Sequence, residues 1–104
     1  MAEKSGTITD PTGRELEVRL LSGMERMRLM RMWGPAANVQ IWLGNAMIAS
    51  MVRSIDTIPV PLPVSVEAAE RLVDKLGDDA IETIASWAQE NTPSRAAVIE
   101  EAKN

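Results

Sequence analysis

From Glu15 to Leu21 the apolar residues Leu16, Val18 and Leu20 alternate with Glu15, Glu17 and Arg19, the two-residue period of a strand with one buried face. Just before it, Asp10-Pro11-Thr12-Gly13 supplies turn chemistry, with Pro preset for the second turn position and Gly tolerant of positive φ. Residues 7–21 therefore read as a β-hairpin. A lone hairpin is barely stable, so it must lie on helices or gain a third strand.

The period then changes. Ser22 is placed to cap a helix over SGMERMRLMRMW, and Gly34-Pro35 stops it. Leu29, Met32 and Trp33 share one side of that helix, whereas Met24, Met27 and Met30 point elsewhere, and one face cannot bury them all. Two readings stay open: a core helix with a few exposed methionines, or a partner-binding surface, since large exposed apolar patches mark interaction.

Between Arg31 and Arg53 the chain carries no charge. With Pro35 at the first helical position, a central helix is expected from about Ala36 to Ser54. Its apolar residues fall on every side: Val39, Trp42, Ala46 and Ala49 on one, Leu43, Met47 and Met51 on a second, Ile41, Ile48 and Val52 on a third. Such a helix must be covered all round, by its own chain, a partner or lipid, and Trp42 and Met47 are expected in the core. A membrane span is disfavoured by Asn38, Gln40, Asn45 and Ser50 together with Gly34, Pro35 and Gly44.

In Ile58-Pro59-Val60-Pro61-Leu62-Pro63-Val64 the prolines remove the donors from one edge of an extended segment. Val60, Leu62 and Val64 then point to the opposite, core-facing side, as in an edge strand. Ser65 caps a helix striped by Val66, Ala69, Leu72, Val73 and Leu76, which Gly77 ends; Asp78 or Asp79 caps the next, striped by Ile81, Ile84, Ala85 and Ala88. Thr92-Pro93 restarts a thinly apolar tail helix.

These elements add up to one domain over residues 1–104, mainly α in an α+β arrangement. Four to five helices surround the apolar central helix, with the N-terminal β-hairpin and the proline-rich edge strand beside them. Residues 1–6 are expected to be a flexible N-terminus, 22–91 the helical core and 92–104 the tail helix.

Composition narrows the function. With 104 residues and 45% hydrophobic, the chain suits a single modest core. It has no Phe and no Tyr; seven Met and three Trp take their place, and six of the Met lie between Met24 and Met51. Such side chains fill irregular gaps and repack against varied surfaces. The absence of His and Cys removes the usual general base, thiol chemistry and the commonest metal ligands, so neither an enzyme nor a cofactor or metal site is expected. Glu67, Glu70 and Asp74 have helical spacing for sharing a cation, but a solvated helix face explains them more simply. The first segment, MAEKSGTITD, lacks the apolar run of a secretory signal, which points to the cytoplasm.

The net charge of −4 is unevenly divided: residues 1–54 hold seven basic and five acidic groups, residues 55–104 four basic and ten acidic. The basic groups around Arg26, Arg28 and Arg31 are therefore expected to be answered by the acidic half. Nucleic acid is not an expected partner, because an acidic chain with three arginines among methionines lacks the net basic face that releases counterions.

Three features in order resemble the small tail assembly chaperones of tailed bacteriophages and prophages. These are the basic helix followed by the uncharged stretch ending in Val52-Arg53-Ser54-Ile55-Asp56, then Pro59-Val60 with further prolines, then Leu76-Gly77-Asp78-Asp79-Ala80-Ile81. The match covers most of residues 15–90; many relatives have Gly where this chain has Thr57, which bears on the shape of that turn. The resemblance implies a cytoplasmic, mainly helical, non-catalytic protein. It would coat the hydrophobic helices of the tape measure protein until tail tube subunits displace it. It also implies, in many relatives, a longer frameshifted form, of which this would be the unshifted version.

On that reading the client-binding surface is Met24, Met27 and Met30 with Arg26, Arg28, Arg31 and Trp33, methionines on the client's apolar stripe and arginines on its flanking acids. The alternative is a small structural tail or virion subunit that buries the methionine-rich helix in a homo-oligomer.

Overall fold

The computed structural model describes residues 5–92. β1 (Ser5–Thr9) and β2 (Glu15–Arg19) form a hairpin in antiparallel register from Ser5 opposite Arg19 to Thr9 opposite Glu15. Leu16 and Val18 are buried while Glu15, Glu17 and Arg19 are exposed, as the alternation requires. Because β1 starts at Ser5, Ser5 and Gly6 belong to the sheet and not to a flexible N-terminus. At Gly6 a Cβ would stand 3.0 Å from Trp87 Nε1, so the indole packs directly on the strand backbone.

α1 (Gly23–Trp33) opens with a full capping box: Ser22 Oγ accepts from Glu25 N–H at 3.1 Å and Glu25 Oε1 accepts from Ser22 N–H at 2.9 Å. It ends at Gly34, whose φ of 61° no side-chain-bearing residue takes easily. A 3₁₀ turn over Gly34–Asn38 leads into α2 (Gln40–Ala49), followed by β3 (Val52–Ile55), β4 (Ile58–Pro59) and α3 (Val66–Asn91). The four strands make one antiparallel sheet in the order β1-β2-β3-β4. α1 and α2 are thus an insertion between its two central strands.

The arrangement is α+β with three helices and a four-stranded antiparallel sheet, which corrects the expectation of four to five helices around a central one. The long central helix is divided. Pro35 starts a 3₁₀ turn instead of an α-helix, and the chain from Val52 onward pairs with β2 instead of extending α2. Ser50 closes α2 by donating its hydroxyl to the Ala46 carbonyl at 2.7 Å. Nor is α2 covered all round: Ile41 is 80% exposed, and Trp42 and Met47 are only half-buried. The buried positions on it are Ala46 and Ala49.

The helical run α3 breaks at Gly77, which leaves helical geometry at φ 83° and ψ 164°, so the two helices expected on either side of it follow each other directly across a kink. No connecting loop intervenes because the carbonyls freed at the break find a partner from the hairpin. Arg14 donates to Lys75 O at 3.0 Å and to Leu76 O at 2.6 Å, and its Nε is held by Asp10 Oδ2 at 2.8 Å. Asp10 Oδ1 meanwhile accepts from the Thr12 and Arg14 backbone N–H groups at 3.0 Å each. The β1–β2 turn is therefore also the clamp on the α3 break. Burial works to raise the Asp10 pKa, but the hydrogen bonds from Thr12 and Arg14 and the Arg14 charge outweigh it and hold the carboxyl below its ordinary value.

The proline segment joins the sheet through Ile58 and Pro59, both exposed, and through the Val60 N–H, which donates to the Arg53 carbonyl of β3 at 2.8 Å. Beyond β4, the half-buried Val60 packs against one core cluster and the half-buried Leu62 against another, whereas Val64 is exposed and Pro63 is buried, so the expected core-facing row of Val60, Leu62 and Val64 holds at its first two positions and fails at Val64. The chain leaves the sheet too early for the alternation to continue, and Pro63 is drawn inward, its carbonyl accepting the Trp33 indole N–H at 2.9 Å. The β3–β4 turn, Asp56-Thr57, has positive φ at both residues, 48° and 69°, the pattern of a two-residue hairpin turn that glycine suits best.

Two apolar clusters result. The first joins Leu16, Val18, Val52 and Ile55 of the sheet to Leu72, Leu76, Ile81 and Ile84 of α3. The second gathers Leu29 and Trp33 of α1 with Ala37, Ala46 and Ala69, and the half-buried Trp42, Leu43 and Met47 lie against it. Among the described residues no helix is long and apolar enough to cross a membrane. The tail helix expected over 92–104 lies outside the described residues apart from Thr92.

Candidate functional site

α1 is anchored on one side only. Its buried residues are Leu29 and Trp33, four apart and so on one face. Trp33 is 2% exposed, with its ring edge-on to Trp42 at a centroid distance of 5.2 Å. Near its first turn, α1 is tied to the sheet by Glu25, whose Oε2 meets Arg53 Nη2 at 3.2 Å. Arg53 is available for this because Ser54 pairs with Glu17 and Val52 with Val18, leaving Arg53 as the extra residue of a β-bulge. The Ser22 backbone N–H bond chiefly, then the Ser22 side chain and the charges of Arg53 and Arg19, outweigh burial and keep the Glu25 carboxyl below its ordinary pKa.

The opposite side of α1 carries Met24, Met27 and Met30 at successive helical neighbours, with Arg28 and Arg31 along one flank and Arg26 along the other. All six are exposed, Met27 by 67%, and Met32 is exposed as well. Of the seven residues expected in a client-binding surface, Arg26 turns aside to line a separate depression with Arg19, Leu21, Ser22 and Met51, while Met24, Met27, Met30, Arg28 and Arg31 share this face. Trp33 does not: it is buried beneath it, as a packing residue that orients the helix. Among the described residues Arg26, Arg28 and Arg31 enter no ion pair, and the ion pairs that form there are Arg14 with Asp10 and Arg53 with Glu25.

A second feature was not visible along the chain. Where α2 crosses α3, the small residues Ala46 and Ala69 meet, leaving a groove of about 800 Å³. Val39, Ile41, Trp42 and Val73 make its walls, and Glu70, Asp74 and Asp78 bring carboxylates to its rim. Glu70 is positioned by the Trp42 indole, whose N–H donates to Glu70 Oε2 at 3.0 Å. The four-residue spacing of Glu70, Asp74 and Asp78 and the alanines at 46 and 69 are present in the sequence. What makes them a groove is the pairing of α2 with α3, which no local pattern encodes. Glu67, considered earlier with Glu70 and Asp74, is not among the groove residues, and among the described residues no group of three acidic side chains is placed to hold a metal ion.

Compared with protein-family models, curated proteins and solved structures, the chain matches none. The likeness to tail assembly chaperones therefore stands on the short sequence words alone. Chemically, the outer side of α1 presents exposed, adaptable apolar side chains flanked by delocalised cations.

Proposed function

We propose that the protein is a non-catalytic binding protein that shields apolar helical segments of a client, in the manner of a tail assembly chaperone acting on a tape measure protein in the host cytoplasm. The observation that carries this reading is the one-sided burial of α1, which leaves Met24, Met27, Met30 and Met32 outside the core on a helix held firmly by Leu29, Trp33 and Glu25. A folding role would have turned at least one of those methionines inward. Unbranched thioether side chains accept client helices of differing shape, and Arg28 and Arg31 select those flanked by acidic residues.

The test is co-expression with the tape measure protein of the genome that encodes the chain. The wild type is expected to keep that client in the soluble fraction, and the Met27→Asp/Met30→Asp variant, itself folded, is expected to let it precipitate. A client that stays soluble with the double variant moves the binding surface away from α1. A client that precipitates even with the wild type defeats the chaperone reading and favours a structural subunit.

A further inference from the structure

The groove between α2 and α3 and the outer face of α1 are complementary. One is apolar with Glu70 and Asp74 on its rim, the other apolar with Arg28 and Arg31 on its flank. Residues three or four apart on a helix stand about 5–6 Å from each other, so the two arginines have the spacing of the two carboxylates. All four side chains are exposed, and among the described residues none of them is ion-paired. The match cannot be made within one chain. α1 meets α2 through Trp33, which packs on Trp42, and the methionines lie on the other side of α1, away from the groove that Trp42 lines.

We propose that the α2–α3 groove is the docking site for α1 of a second copy of this chain, with Met27 and Met30 seated on Val39, Ile41 and Trp42 and the arginines on Glu70 and Asp74. Each copy carries one helix and one groove on different faces, so the contact is head-to-tail and leaves a free helix at one end and a free groove at the other. Association therefore grows with concentration, into an open chain or, where the rotation between neighbours closes, a ring. It is also sensitive to salt, because its charges lie at a solvated rim. On the client reading given above, which this step uses only for its last consequence, client and neighbouring copy compete for the same face of α1.

The experiment is sedimentation velocity of the full chain from about 1 µM to about 1 mM, in about 0.05 M and 0.5 M salt. The wild type is expected to show a weight-average mass that rises above the monomer with concentration and falls back in high salt. Glu70→Arg/Asp74→Arg and Arg28→Glu/Arg31→Glu are each expected to weaken association at least tenfold, and a 1:1 mixture of the two variants to regain it, since each then offers the complement the other lacks. Circular dichroism establishes that both variants are folded; if one is not, the other carries the test with the wild type as reference.

A wild type that stays monomeric throughout, or self-association indifferent to both charge reversals, overturns the proposal. The client assay separates it from the reading of α1. Glu70→Arg/Asp74→Arg keeps the client soluble while losing self-association, whereas Met27→Asp/Met30→Asp loses both. Loss of client solubility with Glu70→Arg/Asp74→Arg would assign the groove to the client and overturn its assignment to a second copy.

Discussion

The sheet with α3 and the α1–α2 insertion use apolar residues in opposite ways. In the first region β-branched and Leu side chains face one another across a single layer, and Leu16, Val18, Val52 and Ile84 are almost wholly removed from water. In the insertion, a few side chains hold the helices in place while Met24, Met27, Met30, Met32, Val39 and Ile41 stay exposed. Stiff residues fitted to one another make the scaffold, whereas four of the six exposed residues are unbranched methionines. The molecule separates the apolar residues that keep it folded from those it leaves at the surface, and that separation can be tested by substitution.

The sharpest test of the boundary is Trp33, the insertion residue that behaves as scaffold. Trp33→Ala removes the ring beneath α1 and leaves the Pro63 carbonyl without its donor, so a loss of about 3 to 5 kcal/mol is expected, read from denaturant melts. Trp42→Ala, at a half-buried position, is expected to lose clearly less. Equal losses at the two sites would erase the distinction between the anchored and open sides of the insertion.

Next in size is the clamp between hairpin and α3. Asp10→Ala leaves Arg14 without its anchor and the turn N–H groups without an acceptor, at an expected cost of about 1 to 3 kcal/mol near neutral pH. The depressed folded pKa of Asp10 sets the pH dependence. Its contribution is complete above the ordinary carboxylate pKa of about 4, and is lost as pH falls through the lower folded value. Glu25, also depressed, acts with the same sign. Asp10→Asn should therefore flatten the melting profile between about pH 5 and pH 3, and a profile unchanged from wild type would remove Asp10 from this role.

A smaller effect, of opposite sign, is expected at Thr57, a β-branched residue at φ 69° in the β3–β4 turn. A left-handed conformation costs such a residue roughly 1–2 kcal/mol, part of which glycine returns as lost chain entropy. Thr57→Gly should stabilise the scaffold by about 1 kcal/mol or less, measured as a higher melting temperature.

The smallest effect belongs to the open side of α1. Met27→Asp/Met30→Asp should change stability by about 0.5 kcal/mol or less per site, because neither methionine joins a core cluster. A large loss would show that these side chains support the fold and would collapse the contrast between the two regions.

Local patterns were enough for several elements. The alternation of Leu16 and Val18, the turn at Asp10–Gly13, the cap at Ser22, the stop at Gly34, the cap at Ser65 and the break at Gly77 each follow from neighbours within a few residues, and each appears where those neighbours dictate. The outward stripe of Met24, Met27 and Met30 follows in the same way, since helical spacing alone separates it from Leu29 and Trp33. Tertiary structure decided the rest. Uncharged sequence from Met32 to Val52 is compatible with one helix or with a turn, a helix and a strand, and pairing with β2 chose the second. Arg14 reaches carbonyls 61 and 62 residues away, and the α2–α3 groove exists because Ala46 and Ala69 are brought together across 22 intervening positions. Backbone propensity and periodicity act over a turn or two of chain, whereas a strand partner, a clamp or a groove is set by which surfaces bury each other, a property of the whole molecule.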